Sequence, residues 1–188
     1  LEAYVSRRAN PHADSLALSA MRLIGANLRA AYREPRNAAA REAMMLGATQ
    51  AGLAFSNSSV ALVHGMSRPI GAHFHVPHGL SNAMLLPAVT EYGLNDALPR
   101  YAEAARAVGV AEREDADQVA GARLLEELRA LNHDLAVPTP RAYGIEPDAW
   151  DRLLPTMAAQ ALASGSPANT PRLPDEAEIV SIYRAAYG

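Results

Sequence analysis

Hydrophobic residues recur along most of the chain at spacings of three and four, which is the period of an amphipathic α-helix. Residues 16–32 show this pattern clearly, with apolar positions on one side and arginines on the other. Asn10-Pro11 interrupts the chain before this segment, and Asp14 or Ser15 can cap the helix that follows. No stretch alternates polar and apolar residues as a strand would. The pattern therefore predicts an all-α domain of about eight helices.

The second predicted helix spans residues 38–55, with Asn37 as its cap, and it is apolar on nearly every side after Glu42. A helix without a polar face is normally a buried one. We therefore expect its large side chains to belong to the core rather than to a cofactor pocket. They are Met44, Met45, Leu46, Leu53 and Phe55.

Proline and glycine divide the middle of the chain. A short helix over residues 60–66 is predicted to end at Pro69 and Gly71, and residues 72–76 are predicted to be extended or irregular. Pro77 suits the first turn of the next helix, predicted over residues 78–89 with an interruption or kink at Pro87. Further helices are predicted at residues 96–108, 118–132 and 148–162, and Asp175 caps a last one.

Composition narrows the class of protein. The chain has 188 residues, of which 49% are hydrophobic and 20% charged, as expected for one globular domain over residues 1–188. A net charge of −3 gives no electrostatic reason to expect nucleic acid or an anionic membrane as partner. No apolar run reaches the roughly 18 residues of a membrane span. The absence of cysteine excludes disulfides and thiolate sites and fits a reducing compartment, so we expect a cytoplasmic location.

Four of the six histidines lie within fifteen positions of one another: His64, His73, His75 and His78. Imidazole nitrogen is a good ligand for zinc or ferrous iron. His64 and His78 lie on either side of a predicted helix break, so the connecting segment can turn both rings toward one point. The cluster predicts a metal or proton-transfer site, although ordinary polar loop residues remain the alternative for any single histidine.

The segments around these histidines resemble the iron-containing (group III) alcohol dehydrogenases. The resemblance rests on Gly52-Leu-Ala-Phe55-Ser-Asn57, on Val63-His64-Gly-Met66, and on Val76-Pro77-His78-Gly79-Leu-Ser-Asn82, and it covers nearly the whole chain. His64 and His78 stand in the family's spacing for two metal-ligating histidines. The resemblance implies the all-helical, dehydroquinate synthase-like C-terminal domain of such an enzyme, with the N-terminal α/β nucleotide-binding domain absent from this chain.

The resemblance also implies a chemistry. Family members oxidise small-molecule alcohols or reduce aldehydes with NAD or NADP, using Fe2+, or Zn2+ in its place, as a Lewis acid. The other two metal ligands, an Asp and a His, are expected in an Asp-x-x-x-His motif just ahead of Leu1. A homodimer is expected from the relatives. The 188-residue chain alone is expected to be inactive.

Three further residues take candidate roles from the resemblance. Arg68 stands where many members have a histidine implicated in proton relay, and a permanently charged guanidinium can orient an anion but shuttles protons poorly. His75 is expected to take over that relay, and Phe55 matches a substrate-pocket wall. The alternatives are a related polyol dehydrogenase or maleylacetate reductase, or an isolated helical packing or oligomerisation module without catalysis.

Overall fold

The structure is a computed structural model that describes residues 1–188, and it contains α-helices and no strand. One helix is a single turn and the other eight have at least eleven residues, so the predicted all-α domain of about eight helices is confirmed. Two 3₁₀ turns, Leu94–Ala97 and Ser166–Asn169, complete the regular structure. The helices are α1 (Glu2–Val5), α2 (Pro11–Arg33), α3 (Ala38–Ser58), α4 (Leu62–Phe74), α5 (His78–Gly93), α6 (Leu98–Val108), α7 (Asp117–Asp134), α8 (Pro147–Ala163) and α9 (Glu176–Tyr187).

Side-chain caps fix where several helices begin. The side chain of Asn37 caps α3 and that of Asp175 caps α9, both as predicted. Helix α2 begins at Pro11, earlier than predicted, because the side chain of Asn10 accepts the backbone N–H of Ala13 at 3.0 Å. Asp14 is therefore not the cap, and its carboxylate pairs instead with Arg100 on α6.

Helix α4 continues through Pro69, so the predicted end at Pro69 and Gly71 is wrong. Met66 and Ile70 are completely buried, and the packing of this apolar stripe outweighs the backbone hydrogen bond that proline removes. The helix ends at His75, whose φ of 56° is left-handed and whose N–H bonds to the carbonyl of Gly71 at 3.0 Å. The segment predicted to be extended is consequently helical as far as Phe74.

Two hydrophobic cores hold the helices together. The α4/α8 core contains buried side chains of α4, α5, α8 and α9, and the α2/α6 core contains those of α1, α2, α6 and α7 together with Ala54 of α3. Trp150 is the largest completely buried side chain of the α4/α8 core. The hydroxyl of Tyr183 donates to the carbonyl of Met66 at 2.6 Å, which ties α9 to α4, and burial raises the pKa of Tyr183. None of the helices is long and apolar enough to cross a membrane.

The prediction that α3 is buried on all sides is wrong. Its exposed fractions are 70% at Met45, 50% at Leu46, 50% at Leu53 and 46% at Phe55. The buried side of α3 carries small residues, Ala40, Gly47 and Ala54. A Cβ at Gly47 would lie 2.9 Å from Cγ1 of Ile24, which shows how closely α2 and α3 approach. Small residues make the contact, and the large apolar side chains face outward.

Candidate metal centre

His64 and His78 meet where α4 and α5 begin. His64 lies in the first turn of α4 and His78 is the first residue of α5. Their ring centroids are 5.3 Å apart in an edge-to-face arrangement. The Nε2 atoms of the two rings lie 3.4 and 3.2 Å from the same atom, the side-chain amide nitrogen of Asn82, one turn further along α5. Both imidazoles therefore turn a ring nitrogen toward one point.

Glu2 contacts the other side of the His64 ring. One carboxylate oxygen bonds to Nδ1 of His64, and the second accepts the backbone N–H groups of Val63 at 2.7 Å and Ala61 at 3.2 Å. The Glu2 side chain is only 12% exposed. This contact could not be predicted from the sequence, because 62 positions separate the two residues and no periodic pattern marks Glu2.

The residues present fit a divalent transition metal. Imidazole nitrogens suit Fe2+ and Zn2+. The buried side-chain oxygen of Asn82, beside the two rings, has no hydrogen-bond partner. No group of three or more His, Cys, Asp or Glu side chains in the chain is arranged to hold a metal. His64 and His78 can thus supply two ligands, and other groups must supply the rest.

A cavity of about 380 Å³ adjoins the His64 ring and Asn82, whereas His78 does not line it. Its wall is mostly apolar, with Phe55, Met21 and Leu86 among its residues, and His64, Glu2 and Asn82 are its polar members. A small apolar cavity with a few convergent polar groups is typical of a small-molecule site. Phe55, which is half exposed rather than part of the core, lines this cavity, and its role as a substrate-pocket wall stays a prediction.

The other candidate residues lie away from this cavity. Nε2 of His73 is 2.9 Å from the side-chain oxygen of Gln160 on α8, and His75 is exposed at the end of α4. The exposed Arg68, one turn after His64 on α4, donates to the hydroxyl of Ser166 at 3.1 Å. None of the three lines the cavity. Of the four clustered histidines, the structure brings together only His64 and His78, and their role as metal ligands stays a prediction.

Gly65 sets the position of α4 next to the first of these histidines. A Cβ there would lie 2.9 Å from both Cγ and Cδ of Pro167, in the 3₁₀ turn after α8. We expect Gly65→Ala to destabilise the protein by about 1–3 kcal/mol through overpacking. Gly79→Ala is the matched control, because a Cβ added at Gly79, in α5, would meet nothing within 4 Å. Urea denaturation checks both variants, and equal stability losses would contradict the close approach.

Comparison with known proteins places this arrangement in a family. The profile of the Fe-containing alcohol dehydrogenase family, C-terminal, matches residues 1–187. The chain is 39% identical to long-chain-alcohol dehydrogenase 1 of Geobacillus thermodenitrificans, covering 100% of this chain and 47% of that protein. It is 35% identical to 1,3-propanediol dehydrogenase of Klebsiella pneumoniae, covering 100% of this chain and 48% of that protein.

A solved structure agrees with the sequence matches. The alcohol dehydrogenase from Oenococcus oeni is 33% identical and superposes with a TM-score of 0.91, covering 99% of this chain and 48% of that one. The chain thus spans about half the length of the curated relatives it matches. With its helical fold and its paired histidines, this chain belongs to the Fe-containing alcohol dehydrogenase family, whose C-terminal domain it matches.

Proposed function

We propose that this chain forms the metal-binding side of the catalytic centre of an NAD- or NADP-dependent alcohol dehydrogenase that also works as an aldehyde reductase. The observation that carries the proposal is the convergence of the His64 and His78 Nε2 atoms on one point beside an apolar cavity. Membership of the family, whose matched relatives include alcohol and 1,3-propanediol dehydrogenases, supports it.

Different side chains are proposed to bind the metal, the substrate and an anionic group. His64 and His78 would hold Fe2+ or Zn2+, and the metal when bound supplies Lewis-acid polarisation of the substrate oxygen. Phe55 and the apolar wall bind the carbon chain of a small alcohol or aldehyde and exclude water from the reacting end. Arg68 donates to the hydroxyl of Ser166, and its guanidinium is proposed to orient an anionic group of substrate or cofactor. A cytoplasmic homodimer is proposed from the family resemblance.

Metal removal tests the proposed function. In a full-length enzyme that carries this chain, we expect chelation to abolish alcohol-dependent reduction of NAD or NADP, and Fe2+ or Zn2+ to restore it. The 188-residue chain by itself is expected to bind Co2+ without oxidising alcohols. Undiminished activity after exhaustive chelation would overturn the proposal, and turnover by the 188-residue chain would show that this half alone suffices.

His75 is proposed to relay the substrate proton to solvent, because it is an exposed imidazole three residues before His78. In the full-length enzyme, His75→Gln is then expected to remove one limb of the pH–rate profile, since glutamine cannot carry a proton. His73→Gln is the control, because the His73 ring is held by Gln160. An unchanged profile for His75→Gln would rule out the relay.

The outward apolar side of α3 favours a second candidate function, an association module. Met45, Leu46 and Leu53 are each at least half exposed. Exposed apolar groups of this size are typical of contact surfaces. Sedimentation of the metal-free chain tests this second candidate, because an association module would assemble without metal and without His64 or His78.

A further inference from the structure

We infer that Glu2 is a positioning residue that fixes the ring tautomer of His64 and thereby directs the Nε2 lone pair of His64 into the candidate metal centre. The tautomer follows from contacts within the chain, and its consequence for metal binding rests on the proposed function. Neither the paired histidines nor their spacing in the sequence points to this acid.

Three contacts hold the Glu2 carboxylate in place: one with the His64 ring and two with backbone N–H groups. One oxygen accepts the backbone N–H groups of Ala61 and Val63, at the start of α4. Backbone N–H groups at the start of a helix have no hydrogen-bond partner within that helix, and a helix N-terminus favours a negative charge. Both backbone groups donate to Glu2, as expected for a carboxylate, which only accepts hydrogen bonds.

An ionised carboxylate decides which nitrogen of the His64 ring carries the proton. Because Glu2 can only accept, Nδ1 of His64 must donate to it. The neutral ring then keeps its lone pair on Nε2, where the amide group of Asn82 can donate to it at 3.4 Å. A carboxylate behind a ligating histidine is the arrangement that fixes ring orientation and raises ligand basicity in metal sites.

His78 lacks such a partner and provides a contrast within the same site. Its only side-chain hydrogen bond is with Asn82, at Nε2, and no carboxylate lies at its Nδ1. The two candidate ligands therefore differ. The orientation of His64 is set by Glu2, whereas His78 is exposed at the start of α5.

Glutamine at position 2 separates a positioning role from simple helix capping. In Glu2→Gln the side-chain oxygen can still accept from Ala61 and Val63, so the start of α4 keeps its cap. The amide NH2 group then faces Nδ1 of His64 as a donor, and the ring proton is expected to move to Nε2. A proton there would occupy the lone pair that the metal needs.

The test observes the tautomer directly. Long-range ¹H–¹⁵N correlation spectra of the metal-free, ¹⁵N-histidine-labelled chain are recorded at about pH 9, where histidine side chains are in general neutral. We expect His64 to carry its proton on Nδ1 in the wild type and on Nε2 in Glu2→Gln, with the exposed His12 and His133 unchanged as references. A proton on Nε2 of His64 in the wild type overturns the inference without any variant.

Thermal unfolding and Co2+ titration complete the test. Glu2→Ala and Asp175→Ala each remove a helix cap and are expected to lower the melting temperature, whereas Glu2→Gln is expected to stay near the wild type. Glu2→Gln is expected to weaken Co2+ binding about 10- to 100-fold. If the wild-type chain binds no Co2+, the two histidines alone do not hold a metal, and the tautomer still decides the inference. If Glu2→Gln binds Co2+ as the wild type does and keeps its tautomer, Glu2 is only a cap.

Discussion

Replacing His78 with alanine is expected to weaken the binding of Co2+ or Zn2+ by more than about 100-fold and to abolish alcohol oxidation in a full-length enzyme. The loss of a partner that merely orients a ligand costs about 10- to 100-fold in metal affinity, so the loss of a ligand should cost more. His78 is exposed, and we expect its removal to leave the free energy of unfolding within about 0.5 kcal/mol of the wild type.

The matched variants make this result specific. His64→Ala should weaken metal binding as strongly as His78→Ala, because the two Nε2 atoms face the same point. His133→Ala removes an imidazole whose side chain is 91% exposed and far along the chain on α7, and it should change nothing. Titration of each metal-free variant with Co2+ measures the affinity. Wild-type affinity in His78→Ala would exclude this ring as a ligand.

Replacing Trp150 with alanine is expected to destabilise the protein by about 3–5 kcal/mol, the cost of a large cavity in a packed core. Trp150 is 1% exposed, and its ring centroid lies 5.6 Å from that of Phe74, 5.7 Å from that of Tyr183 and 5.4 Å from that of Tyr187. Three aromatic rings from α4 and α9 thus lose their common contact. Urea denaturation followed by circular dichroism measures the loss.

The indole nitrogen of Trp150 supplies the control. It is buried and has no hydrogen-bond partner, a state that costs about 1–3 kcal/mol. Trp150→Phe keeps an aromatic ring and removes the unpartnered N–H, so we expect it to cost less than half of what Trp150→Ala costs. Equal losses for the two variants would mean that ring packing contributes little here.

Local rules predicted the architecture well and failed where tertiary packing decides. The caps at Asn37 and Asp175 could be predicted because they depend on side chains within three residues. The continuation of α4 through Pro69 could not, because the burial of Met66 and Ile70 outweighs a local rule. The orientation of α3 could not be predicted either, because hydrophobicity alone does not reveal that Gly47 makes the close contact with α2.

The residues of the candidate site also differ in whether the sequence could predict their positions. The pairing of His64 and His78 follows from their spacing across a helix break, and family resemblance gave Phe55 a place at the pocket. Glu2 escaped notice because its contact with His64 spans 62 positions and no periodic pattern marks it. The predicted extended or irregular conformation of residues 72–76 is wrong as far as Phe74, because α4 continues to that residue and His75 ends it in a left-handed conformation.

The Glu2–His64 contact is one link between the two hydrophobic cores, and Leu86, which packs against both of them, is another. Glu2 begins α1, whose next three residues belong to the α2/α6 core, whereas α4 contributes Val63 and Met66 to the α4/α8 core. Cores of this kind can open as separate cooperative units. A ligand held at His64 would bind only while both units are closed, so its binding energy would be shared between them. Metal bound at the candidate centre would therefore favour unfolding of the domain as one unit.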